Sequence, residues 1–278
     1  MQTFLPYESF AESAAALDQA RLGKQRVETL QVLRSLLLPT YGWQNHPVTK
    51  MWRGFLPGLT AYGLATVDEW VRRGHTDSTR HLIAEFAPGV VGKSQEELAE
   101  RRMLPAWIGD EELHRSHRSN LVRKAPEYYR PMFPDVPDDL DYLWPPEGER
   151  PPAPSGEPLW VVRPRTGEDL TEWQEEGFLA VGERSPLGRD TPNWRAQVAA
   201  FVDALEPGTE VGALVGNEGT VHRATVTGDV QTRVEEAGTV TLVRAAEFAG
   251  TLARTDFTVP AILQDPRSVF TAPLRTDG

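Results

Sequence analysis

The stretch Trp144-Pro145-Pro146-Glu147-Gly148-Glu149-Arg150-Pro151-Pro152-Ala153-Pro154-Ser155-Gly156-Glu157-Pro158 divides the chain. It holds six of the 23 prolines, interleaved with glycine, serine and charges. Such a run neither propagates a helix nor supplies the N–H donors of a sheet, so it reads as a semi-rigid linker. The expected layout is a domain over 1–144, a linker over 145–158 and a second domain over 159–278. A chain of 278 residues suits two domains at roughly 100–200 residues each.

Upstream of the linker the signals are helical. Ser9-x-x-Glu12 is a capping box, and Asp18 caps a second helix whose buried stripe is Leu22, Leu30, Leu33 and Leu37. Pro47 opens a third, capped by Asn45 or His46, with Met51, Phe55, Leu59 and Tyr62 facing inward. Asp77 or Ser78, Ser94 and Asp110 start further helices, the last ending at Pro126. Downstream, the runs 159–162, 178–181, 210–215, 221–227 and 240–243 read as strands, with Asn217-Glu218-Gly219 as a hairpin loop. One helix, opening at Thr191-Pro192-Asn193, interrupts them. The predicted fold class is α+β: an all-α domain, then a small, mostly β domain.

Composition narrows the function classes. With 40% hydrophobic and 25% charged residues the chain can build a core. No apolar run approaches the roughly 18 residues of a membrane span, and the N-terminus lacks the basic and apolar regions of a signal peptide. The absence of cysteine excludes disulfides, thiolate metal sites and Cys nucleophiles, and fits a reducing cytoplasm. The net charge of −11 is unevenly spread. Residues 1–134 carry 17 basic against 15 acidic side chains, a net of +2, and the remaining 12 and 25 leave −13 for residues 135–278. A polyanion partner therefore stays open for the first half.

Three segments there carry possible chemistry. In Leu17–Glu28, helical spacing sets Glu28 among Arg21, Lys24 and Gln25, opposite the leucines, while Arg26 adds a further cation. Such a carboxylate suits proton transfer or stabilisation of a developing cation, and a solvated, salt-bridged face is the alternative. In Tyr41-Gly42-Trp43-Gln44-Asn45-His46-Pro47, His46 either contacts a phosphate or base or merely caps a helix. From His114 to Arg130, His117, Arg118, Arg123, Tyr128 and Tyr129 suit phosphate contacts and base stacking; a basic surface helix with core tyrosines is the alternative. His114 and His117 lie one turn apart, but no carboxylate ligand pattern accompanies them, so no metal site is expected.

Together these segments, over about residues 1–145, resemble the pyrimidine-dimer DNA glycosylase family, the endonuclease V type of phage and its bacterial relatives. Glu28 falls at the family's catalytic glutamate, residues 41–47 are similar to its Gly-Tyr-Arg-Asn-His-Pro stretch, and Tyr128-Tyr129 to its DNA-contacting Trp-Tyr motif. The resemblance implies DNA as partner, no metal, no cofactor, and an N-terminal α-amine as nucleophile that releases the base and forms a Schiff base. An α-amine has a pKa near ~8, so a useful fraction of such groups is neutral at cellular pH. Gln2 is too bulky for usual initiator-Met removal, so the candidate amine is that of Met1, and Phe4 and Leu5 should anchor it in the helical core. Arg26 stands two positions before Glu28, where the family has an Arg immediately before.

The second domain resembles PUA-like or EVE-like modules on Trp160-Val161-Val162-Arg163, residues 177–182, Val226-Thr227-Gly228-Asp229 and residues 263–270. This implies a modified-base pocket, with Trp173, Phe178 and Trp194 as lining candidates, unless all three are core. The leading expectation is a DNA glycosylase with AP-lyase activity on damaged or modified DNA. The alternatives are a non-catalytic reader of modified nucleic acid and an acidic protein-interaction adaptor.

Overall fold

A computed structural model describes residues 1–182, 191–217, 219–234 and 240–276. The chain forms two compact units, Met1–Ala153 and Pro154–Gly278. The first is helical and the second holds a mixed seven-stranded sheet, an α+β arrangement. Among the described residues no helix is long and apolar enough to cross a membrane.

The first unit contains α1 (Phe10–Ala16), α2 (Gln19–Leu37), α3 (Pro47–Met51), α4 (Leu56–Arg72), α5 (Arg80–Ala84), α6 (Gln95–Glu100), α7 (Glu111–Lys124) and α8 (Pro126–Tyr129). Their starts follow local chemistry: Ser9, Asp18, Ser94 and Asp110 each accept a backbone N–H from the first turn they cap. The helix expected to run through Tyr62 is two helices, α3 and α4, because Gly54 turns the chain at φ +82° between them. Pro126 likewise does not simply end α7 but opens α8. α2 and α4 pack closely through Gly63, where an added Cβ would lie 2.9 Å from the Thr29 methyl.

The proline-rich stretch is not a free spacer throughout. Glu147 pairs with Lys50 (3.3 Å) and Arg53, and the Gly148 N–H donates to Lys50 O. A Cβ at Gly148 would sit 2.1 Å from the Arg53 carbonyl oxygen, so this contact requires glycine. The last two residues of the expected linker, Glu157 and Pro158, already belong to the first strand.

The second unit comprises β1 (Glu157–Val162), α9 (Gly167–Glu176), β2 (Phe178–Gly182), α10 (Pro192–Asp203), β3 (Glu210–Ala213), β4 (Val221–Val226), β5 (Gln231–Val234), β6 (Val240–Leu252) and β7 (Val269–Leu274). The order is β2-β6-β4-β3-β1-β7, with β5 also on β6 and with β1–β3 the parallel pair. Side chains alternate between two cores. Val162 and Val269 pack with Trp173, Trp194 and Phe201, whereas Val161 and Phe270 pack with Phe257 and Leu263. Arg244 is buried and caps the end of α10 through Phe201 O (3.0 Å) and Val202 O. α9, β5 and β7 were not expected from sequence. The proposed 217–219 hairpin loop includes Glu218, which lies outside the described residues.

Candidate active site

The amino-terminal segment enters the helical core as extended chain without a sheet partner. Residues 2–5 are buried, Phe4 at 6% and Leu5 at 0% exposure. Buried main-chain polar groups need partners, and side chains of α2, α4 and α7 supply them, while Trp52 partners the buried Thr3 hydroxyl. The Gln25 amide accepts the Phe4 N–H (2.8 Å) and donates to Gln2 O (2.7 Å). The Tyr62 hydroxyl reaches Phe4 O (2.8 Å), and the Trp52 indole donates to Thr3 Oγ1 (2.9 Å). His117 Nδ1 accepts from the Leu5 N–H (2.9 Å), His114 Nδ1 meets Leu5 O (2.8 Å) and Arg118 donates to Pro6 O.

This threading delivers the terminus to Glu28. One turn beyond Gln25 on α2, the half-buried Glu28 carboxylate has Oε2 3.4 Å from the Gln2 amide nitrogen and 3.5 Å from Gln25 Nε2. Both are at the limit of hydrogen bonding, so the carboxylate is loosely held. Beside it runs a cleft of about 800 Å³ whose walls include Lys24, Glu28, Gln31 and Trp70.

His46 senses the charges of this site. Its Nδ1 accepts the Val48 N–H (3.1 Å) at the start of α3, which leaves Nε2 as the ring's donor when neutral. Burial and then the Met1 α-ammonium push its pKa down, while the Glu28 carboxylate works in the opposite direction. Tyr142 also senses Glu28: burial chiefly raises its hydroxyl to about 12, Arg123 and Arg21 opposing and Glu28 adding to the rise. An irregular stretch carries Tyr142 and Trp144 here. It is tied to α7 by Ser119 Oγ accepting the Leu140 N–H, Asn120 donating to Leu140 O, and Ser116 Oγ accepting the Leu143 N–H.

Several residues expected to touch DNA have other work. His117 is fully buried and Tyr129 is at 0% exposure, its hydroxyl accepting the Asp18 N–H (2.9 Å), so neither is available as a surface contact. They are inside because each satisfies a main-chain group of a distant segment. Arg21 is paired with Asp18 and donates to Lys124 O (3.0 Å), so it does not bond Glu28 as the helical spacing suggested. Arg26 pairs with Asp77 and lies over Trp70, 4.3 Å from the ring centre. Arg118 and Arg123 bond Glu111 and Asn120. Lys24 and Tyr128 are exposed. In the second unit, Trp173 and Trp194 are core residues at 5% and 6% exposure, and the half-buried Phe178 packs beside Trp173. Trp173 and Trp194 fill the interior of this unit, with Phe178 packed against this core. Sequence reading named Gln25 beside Glu28 but missed Trp52, Tyr62 and Tyr142 as parts of the site, because their roles depend on partners 49 and 58 positions away or on irregular chain.

His117 gives a stability test. Burial, with His114 adding to it, pushes its pKa from 6.5 down to about 3. The unfolded chain therefore takes up this proton first. Its contribution is complete above pH 6.5 and is lost as pH falls toward 3. Lowering pH from 6.5 to 4.5 should cost about 2–3 kcal/mol from this group, at about 1.4 kcal/mol per unit. Urea denaturation across this range should show the loss, and His117→Asn, which keeps an acceptor for Leu5, should flatten it. An unchanged slope in that variant would assign the proton uptake elsewhere.

Residues 1–82 match the sequence model of the family described as pyrimidine dimer DNA glycosylase. The matched stretch includes the threaded terminus, Glu28, His46, Trp52 and Tyr62, and stops before α7 and Tyr142. No curated protein and no solved structure matches the chain.

Proposed function

We propose that the chain is a DNA glycosylase with AP-lyase activity, in which the Met1 α-amine is the nucleophile and Glu28 the acid–base group. The observation that carries this reading is the burial of residues 2–5 by dedicated side-chain partners, with Glu28 Oε2 3.4 Å from the Gln2 nitrogen. The family match over residues 1–82 supports DNA repair by a glycosylase-type reaction and DNA as the partner. The neutral amine attacks C1′ of a damaged or modified nucleotide, forming the N–C1′ bond as the C1′–base bond breaks. The C1′–O4′ bond then breaks, O4′ taking up a proton released by the amine nitrogen, and the open-chain sugar iminium that forms is a Schiff base. Glu28 then removes the C2′ proton, the C3′–O bond breaks with loss of the 3′ phosphate, and water releases the amine.

The exposed cation Lys24, beside Glu28 in the cleft, is assigned to the phosphate backbone. Residues 159–278 are read as a PUA-like module that contributes to target choice. The test is incubation of the full chain with an abasic-site duplex and borohydride. A covalent protein–DNA adduct that maps to Met1, together with strand cleavage without borohydride, is the expected result. Absence of both would reject the enzyme reading.

A further inference from the structure

The loop between α2 and α3 presents an aromatic side chain in an unusual way. Trp43 has φ +70°, a left-handed conformation rare for a bulky residue, yet its side chain is 55% exposed. Strain of this kind is retained where the position has a use. Its ring meets His46 edge-on, with centroids 5.5 Å apart, and His46 meets Trp144 at 6.2 Å. Trp144, 37% exposed, also packs on Tyr142 at 5.6 Å. An aromatic row thus runs from solvent at Trp43 through His46 and Trp144 to Tyr142. The loop borders a recess of about 630 Å³ whose walls include Thr40, Tyr41, Trp43, Gln44 and Asn45. Residues 39–47 contain no acidic side chain, so the loop itself does not repel a polyanion.

We propose that Trp43 and Trp144 form a stacking platform for a nucleobase displaced from the duplex, Trp43 contributing the outer face and Asn45 a polar edge. This rests on the reading of the site as one that attacks C1′. An amine in a helical core reaches that carbon only when a nucleotide leaves the stack, and unstacking has to be offset by contacts elsewhere. An exposed indole accepts any base face, while the amides in the recess meet its polar edge.

The test uses the full chain and a duplex carrying an abasic site flanked by 2-aminopurine. Trp43→Asn removes the indole but keeps a residue that tolerates positive φ, and Trp43→Phe retains a ring. Trp43→Asn should raise the half-saturating DNA concentration about tenfold. Trp43→Phe should stay within about threefold of wild type, and 2-aminopurine emission in the saturated complex should be higher with Trp43→Asn than with wild type. Equal affinity and equal emission for wild type and Trp43→Asn would overturn the platform even if both cleave. Wild type that binds and quenches without cleaving would leave the platform standing and reject the glycosylase reading. Wild type that fails to bind the duplex would reject both.

Discussion

A short peptide extension ahead of Met1 should lower abasic-strand cleavage at least about a thousandfold, equivalent to about 4 kcal/mol of barrier, while the protein remains folded. The extension converts the α-amine to an amide, whose nitrogen lone pair is delocalised and cannot form a Schiff base. The fold should tolerate it because Met1 is only half-buried, whereas burial begins in earnest at Gln2. The main-chain groups of residues 2–5 keep their bonds to Gln25, Tyr62, His114 and His117 in either form. Thermal denaturation of tagged and untagged chains should therefore give closely similar midpoints. Removing the tag with a protease that regenerates Met1 should restore cleavage. The competing nucleophile is Lys24, an exposed amine in the cleft that also holds Glu28. Full activity in the extended chain, with a borohydride adduct on Lys24, would transfer the reaction to that residue.

What was legible in the sequence was largely local. Ser9, Asp18, Ser94 and Asp110 cap helices two or three residues away, so chain spacing alone reveals them. The position of Glu28 on α2 followed equally from local periodicity, and Phe4 and Leu5 were recognisable as anchors. The failures share a cause. His117 and Tyr129 look like surface chemistry, because their polar atoms have no local partner. Their partners are Leu5 and Asp18, more than 100 positions away. The aromatic residues Trp173 and Trp194 look equally suited to a ligand pocket or to a core, and only the packing of α9 and α10 onto the sheet decides for the core. α9 itself was overlooked because its sequence GEDLTEWQEE offers just two buried side chains, Leu170 and Trp173. Tyr142 and Trp144 lie in chain with no period to read, and their placement depends on Ser116, Ser119 and Asn120 of α7.

Glu28→Gln should separate the two halves of the proposed reaction. Strand cleavage of an abasic duplex should fall by about 10²–10⁴, the range associated with loss of a positioned acid–base group. Folding should be nearly unchanged, because the substituted amide can present an oxygen to the Gln2 N–H, and the existing contacts at 3.4 and 3.5 Å are weak. Attack by the Met1 amine does not require Glu28 to carry a proton away from C2′, so the iminium should still form and then accumulate. Borohydride trapping should consequently persist in the variant while the cleaved strand disappears. Affinity should hold or tighten slightly, since the substitution removes a negative charge from the cleft proposed to receive the phosphate backbone. Parallel measurement of binding, trapping and cleavage distinguishes this from a general loss of the site. Equal loss of trapping and cleavage would place Glu28 in Schiff-base formation instead, and cleavage within about threefold of wild type would remove it from the chemistry altogether.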